Sequence, residues 1–225
     1  VYKRQAPYRA VIYLARAEAY LKLDQREDAL ADFQKAVEVH PRSHRAFYQL
    51  GRWYSQNMDL EMAVANLEKA RELNPLVPEV YNELGNVQNM AQNFEAAREN
   101  LNRAIELSPY LFMAYNNRGI SNFHLGAQDS ALRDFNKAID LDSTFAQAYS
   151  NRGNLYAARG EFEQALGDYE SAIRYAEDDC LSMVNRGNVY YQLGDSEAAC
   201  ASWQQALCCG FEGANDLLER YCGHN

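Results

Sequence analysis

The tripeptide Asn-Arg-Gly stands at Asn117-Arg118-Gly119, again at Asn151-Arg152-Gly153, and again at Asn185-Arg186-Gly187, each copy 34 residues after the last. Sliding the chain against itself by that step extends the match well beyond three residues. Glycine recurs at Gly51, Gly85, Gly119, Gly153 and Gly187. Twelve residues later comes an alanine, at Ala63, Ala97, Ala131, Ala165 and Ala199, and seven further another, at Ala70, Ala104, Ala138, Ala172 and Ala206. Between each alanine pair sits a bulky apolar residue: Leu67, Leu101, Phe135, Tyr169 or Trp203. One more unit precedes these, with Ala17 in the glycine place, then Ala29, Phe33 and Ala36. A period of this length marks a supersecondary unit that cannot bury its apolar face alone and must stack on its neighbours.

Small residues recur where two helices must approach closely, and large ones where a neighbour's surface must be filled. Gly126, Gly160 and Gly194 fall at the end of a first helix, where a left-handed residue is wanted. Proline closes the early units at Pro41, Pro75 and Pro109.

On these residues the chain resembles the tetratricopeptide repeat. Six units fit without insertion: 10–43, 44–77, 78–111, 112–145, 146–179 and 180–213. The departures are mild. Ser143, Glu177 and Phe211 stand where the family has proline, and Arg118, Arg152 and Arg186 replace the leucine before the glycine. The resemblance implies an all-α fold, a right-handed superhelical solenoid of antiparallel helix pairs whose first helices line a concave face. The stretch "ANDLLERYC" puts Leu217, Leu218, Tyr221 and Cys222 on one helical face, so residues 214–225 are expected to form a C-terminal capping helix and tail.

The other end reads differently. "VYKRQ" carries no initiator methionine and resembles the scar of a transposon end used in preparing sequencing libraries. Residues 1–9 are therefore expected to be scar and lead-in, and the chain to be the N-terminally truncated tail of a longer, bacterial protein.

A net charge of −9, from 22 basic and 31 acidic side chains, argues against a nucleic-acid surface, which needs clustered Lys and Arg. No run of about 18 apolar residues suggests a membrane span. Cys180, Cys200, Cys208, Cys209 and Cys222 form an odd set without a Cys-x-x-Cys pair. They read as small buried hydrophobes rather than a disulfide framework or a zinc site, His224 being the only histidine nearby. Free cysteines lean towards a cytoplasmic location, with the bacterial cell envelope also open.

The four histidines, His40, His44, His124 and His224, fall at unrelated points of the repeat. No phosphate loop, dinucleotide fingerprint or metal motif is present. The expectation is a non-enzyme with no catalytic, cofactor or metal residues.

In the family the resemblance names, ligands are extended peptides held on the concave face. Counting from each glycine, the stripe two before it holds Gln49, Glu83, Asn117, Asn151 and Asn185, and the stripe one after it Arg52, Asn86, Ile120, Asn154 and Asn188. Such offsets share a helical face. An asparagine offers both a donor and an acceptor, so a row of them can pair with peptide backbone whatever its sequence. The candidate peptide-binding residues are Asn82, Asn86, Asn117, Asn151, Asn154, Asn185 and Asn188, with Arg45, Tyr48 and Arg52. The same asparagines also fit local hydrogen bonding between helices, a common use in this family. A carboxylate clamp of the co-chaperone type is excluded, because the positions three and six before the glycine never hold lysine. Arg118, Arg152 and Arg186 lie one place off the stripe, their stems expected between helices and their guanidinium groups at water or a neighbouring acid. Along the wall, Arg45 and Arg52 form a basic end, Glu79 and Glu83 an acidic patch, and Met113, Phe123, Leu181 and Tyr191 a more apolar remainder, so a ligand is expected to dock with a direction.

The function expected is a non-catalytic protein–protein interaction scaffold that binds an extended peptide segment of a partner. The alternative is a regulatory or structural tail of a longer enzyme or envelope- or secretion-assembly protein. Self-association is a third possibility.

Overall fold

The structure, a computed structural model, describes residues 2–223, with the backbone alone for residues 2–7. Val1, His224 and Asn225 lie outside it, so the readings of Val1 as scar and of His224 as a neighbour of the cysteines fall outside the described residues. Thirteen helices and no strand occur among the described residues. They are α1 (Tyr2–Lys22), α2 (Arg26–Val39), α3 (His44–Gln56), α4 (Leu60–Leu73), α5 (Pro78–Met90), α6 (Phe94–Leu107) and α7 (Phe112–His124). There follow α8 (Gln128–Leu141), α9 (Ala146–Arg159), α10 (Phe162–Tyr175), α11 (Cys180–Gln192), α12 (Ser196–Cys208) and α13 (Ala214–Tyr221). The fold is all-α, as the sequence implies.

The chain forms two compact units, residues 1–117 and 118–225, divided inside α7. In the first, α1 packs on α2, α3 on α4 and α5 on α6, while α2 meets α3 and α4 meets α5. In the second, α9 packs on α10 and α11 on α12, while α8 meets α9, α10 meets α11 and α13 covers α12. The turns joining the helices of a pair are too short for anything but an antiparallel return. Ser43, Asp59, Asp179 and Asp195 cap the helices they precede, each side chain accepting a backbone N–H of the first turn.

Both alanine rows, from Ala29 to Ala199 and from Ala36 to Ala206, are completely buried. The glycines permit the closest approach. A Cβ on Gly153 would stand 2.9 Å from the Tyr169 ring, and one on Gly187 2.5 Å from Trp203. Leu67, Leu101 and Phe135 press against Gly51, Gly85 and Gly119 in the same way. Each bulky residue is thus a plug seated on the partner helix's bare backbone.

The left-handed residue after the first helix recurs more widely than its glycines suggest. Gly126, Gly160 and Gly194 adopt φ of 77°, 76° and 83°, and the same register holds Asp24, Met58 and Gln92 at 55°, 61° and 60°. The turn geometry is imposed by the hairpin, and three units adopt it with a side chain that disfavours it.

The cysteines correct the sequence reading. Cys180 is bonded to Cys209 and Cys200 to Cys222, with Cα–Cα separations of 5.7 and 5.9 Å, and only Cys208 is free, on the surface. None of the five is a fully buried hydrophobe. The reason is topological: an antiparallel return brings the start of α11 beside the end of α12, and the turn before α13 carries Cys222 back over α12. The lean towards a reducing cytoplasm rested on free thiols and loses its basis.

Replacing Met58 or Gln92 by glycine should relieve the left-handed strain and raise stability by about 1 kcal/mol. A denaturant midpoint left unchanged or lowered by either substitution would show that the strain is absent.

Candidate peptide-binding face

In the first unit, α3 and α5 lie side by side with a cavity of about 180 Å³ between them, lined by His44, Arg45, Tyr48, Gln49, Val77, Glu79 and Val80. Arg45 is exposed. Arg52 stands over the Tyr48 ring, 5.7 Å from its centroid. Burial pushes the Tyr48 phenol up, Arg52 opposing and Glu83 and Glu79 adding to the shift. Arg45 of the basic end and Glu79 of the acidic patch read from the sequence both line this cavity. Glu83 accepts the Ser55 hydroxyl at 3.1 Å.

The asparagines divide into two groups. Asn185 on α11 donates to Asn154 Oδ1 on α9 at 3.0 Å, and the Tyr169 hydroxyl donates to the same oxygen at 2.8 Å. Trp203 Nε1 donates to Asn188 Oδ1 at 3.2 Å. In the first unit Asn117 donates to Asn82, a largely buried residue, at 3.1 Å, and Asn89 donates to the Asn117 backbone carbonyl at 2.8 Å. Gln49, the counterpart of Asn185 in its own repeat, donates to Glu18 at 3.1 Å. Asn151 is half-buried on α9 and has partners of its own. Asn86 differs from all of these: half-buried on α5, its side chain has no hydrogen-bond partner among the described residues. The reason lies in its neighbours. Leu101, its plug, has no polar tip to donate, and Asn117 turns to Asn82.

Of the guanidinium groups expected at water or a neighbouring acid, those of Arg118 and Arg152 find acids, and those carboxylates are what the sequence reading did not name. Arg118 grips Asp134 with two nitrogens at 3.0 and 2.6 Å, and Asn122 donates to the same carboxylate. Arg152 grips Asp168 at 2.8 and 2.7 Å and also reaches Asn136. Arg16 and Asp32 repeat the arrangement in the first unit. Where leucine replaces the arginine, at Leu50 and Leu84, the acid is replaced by Asn66 and Asn100, which donate back to their own helices. Ser202 takes the acid's place opposite Arg186. The signal was present as a 16-residue offset repeated in register.

No group of His, Cys, Asp and Glu side chains among the described residues is arranged to hold a metal ion. His124 meets the Phe123 ring edge-on, 5.5 Å away. No helix among the described residues is long and apolar enough to cross a membrane.

Four family models match stretches of the chain. Those described as "Tetratricopeptide repeat" cover residues 14–59 and 48–112, 146–179 and 182–207, and one described as "TPR repeat" covers 121–159. The chain belongs to the tetratricopeptide repeat family. No curated protein matches it. Among solved structures, the Cut9–Hcn1 hetero-tetramer of the APC/C is similar with a TM-score of 0.87 at 20% identity, over 96% of this chain and 43% of that one. This chain thus spans less than half the length of that protein. PilW, a widely conserved type IV pilus biogenesis factor, gives 0.82 at 17% identity over 93% of this chain and 98% of its own. YrrB, a TPR protein with an unusual peptide-binding site, gives 0.56 at 20% over 80% and 93%. At these identities the likeness is one of fold.

Removing Asp168 strands a half-buried guanidinium, so Asp168→Ala should cost about 3 kcal/mol, measurable by denaturant unfolding. A loss below about 0.5 kcal/mol, the range of an exposed pair, would show that Arg152 finds water instead. A second expectation concerns alkaline pH. Burial raises the Tyr48, Tyr149 and Tyr169 phenols, with Tyr175 adding to the shift at Tyr149 and Asp168 at Tyr169. Below about pH 10 folded and unfolded chains hold these protons alike; above it the unfolded chain gives them up first, so stability falls as pH rises. Equal unfolding free energies at pH 8.5 and 11 would contradict this.

Proposed function

We propose that the chain is a non-catalytic protein-interaction scaffold that takes an extended peptide segment of a partner on the α3–α5 face of its first unit. The single observation that carries the reading is Asn86, a half-buried amide with neither its donor nor its acceptor engaged among the described residues. On α5 it follows Glu79 and Glu83 at helical spacing, and Arg45 and Tyr48 stand across the cavity from Glu79. An amide in that place can pair with the N–H and C=O of a passing chain, while Arg45, Arg52 and Glu79 select its charges. The fold supports interaction with other proteins in general, and the resemblance to YrrB, with its peptide-binding site, supports the finer reading by analogy of fold.

Asn154, Asn185 and Asn188 serve differently in this proposal. Asn185 and Asn154 join neighbouring repeats, as Asn117 and Asn82 do in the first unit, while Asn188 holds the Trp203 plug within its own repeat. They belong to the wall's construction more than to its recognition.

A second reading, a part in envelope or secretion assembly, is favoured by one observation. Two disulfides are the mark of a protein that matures in an oxidising compartment.

The test begins with peptides selected from a random display library against the purified chain, their dissociation constants measured by fluorescence polarisation. Asn86→Ala and the reversal Arg45→Glu should each weaken the best peptide about tenfold without lowering the melting temperature. Asn185→Ala should lower the melting temperature and leave affinity within about twofold. If instead Asn185→Ala abolishes binding while Asn86→Ala and Arg45→Glu do nothing, the recognition surface lies in the second unit and the proposal fails.

A further inference from the structure

The two disulfides converge on the end of the second unit. α13 is only eight residues long, preceded by Gly213 without a side-chain cap. A helix of that length is not stable by itself in water. Its one fully buried residue is Ala214; Leu217, Leu218 and Cys222 are partly buried against the cluster that holds Trp203, Ala199 and Ala206. The Tyr221 ring lies 4.6 Å from Tyr191 and 5.7 Å from Trp203. No side-chain hydrogen bond or ion pair joins α13 to α12 among the described residues. Inside α13, Asn215 donates to Glu219, and Arg220 lies over Tyr221. What holds the helix in place is a small apolar contact and the Cys200–Cys222 bond at its C-terminal end.

The face beneath α13 is the one on which a further repeat would stack. In the earlier repeats, Ala29, Phe33 and Ala36 on α2 or Ala63, Leu67 and Ala70 on α4 lie under the next unit's first helix. In the last repeat the same register holds Ala199, Trp203 and Ala206 on α12, and α13 takes the covering position.

We propose that the Cys200–Cys222 disulfide is a redox latch on this cap. With the bond closed, α13 shields the apolar end of the last repeat. A dithiol reductant opens it: the dithiol gives two electrons and two protons, the S–S bond becomes the two thiols of Cys200 and Cys222, and the reductant closes to its own disulfide. Released from its tether, α13 unfolds and uncovers Trp203 and its alanine neighbours. The Cys180–Cys209 bond has a different task. It joins the start of α11 to the end of α12 within one hairpin that the Trp203 plug already holds, so its loss leaves the cap in place.

The experiment uses the full chain, oxidised and after dithiothreitol. Alkylation followed by mass spectrometry should find one reactive thiol, Cys208, before reduction and five after it. Five before reduction would overturn the latch. Hydrogen exchange should quicken at least tenfold over residues 214–221 on reduction, with α9 and α10 unchanged. Trp203 fluorescence, read in a Trp53→Phe background, should shift to the red. Cys200→Ser with Cys222→Ser should reproduce both effects without reductant, while Cys180→Ser with Cys209→Ser should reproduce neither. Exchange that stays the same in the first double variant, or rises equally in the second, would overturn the assignment.

Discussion

The structure depends on how closely two antiparallel helices can approach, and that distance is set where a plug meets bare backbone. A residue without a side chain on one helix lets Leu67, Leu101, Phe135, Tyr169 or Trp203 of the other lie directly on its Cα. Everything near the contact must then be small, which is why both flanking alanine rows are buried to zero exposure. The first unit relaxes the rule slightly. Ala17 faces Phe33 and is itself completely buried, so one methyl can be accommodated when the rest of the repeat adjusts.

Because that contact repeats every 34 residues, the fold was legible in the sequence almost throughout. Periodicity reports positions where chemistry has no freedom: a glycine under a ring, an alanine between backbones. It reports poorly where geometry is forced on a residue that resists it. Asp24, Met58 and Gln92 carry the left-handed turn as firmly as Gly126 does, yet nothing in their side chains announces it. The disulfides escaped for another reason. Separations of 29 and 22 residues mean nothing until the hairpin places helix ends side by side.

The buried ion pairs show how coupled positions can be read once they are suspected. A guanidinium beside Asp134 or Asp168 has its charge answered at short range, in a place where water is scarce. Put leucine in the arginine's place and a carboxylate would be left alone, at a cost of several kcal/mol. Asn66 and Asn100 stand there instead, neutral and bonded to their own helices. The arginine before the glycine, a departure from the family's leucine, is thus half of a two-residue substitution whose other half lies on the neighbouring helix.

The same logic separates construction from recognition among the asparagines. Where the plug has a polar tip, as Tyr169 and Trp203 do, the asparagine after the glycine accepts from it, and its identity follows from the plug. Where the plug is Phe135, the position is Ile120, because a lone amide beside an apolar ring would go unpaired. Leucine plugs break the rule twice: opposite Leu67 the position holds Arg52, which lies over the Tyr48 ring, and opposite Leu101 it holds Asn86. That amide has no internal use, sits only half-covered, and costs stability by its incomplete pairing. A residue kept against the internal logic of its own repeat is where an external ligand is best sought.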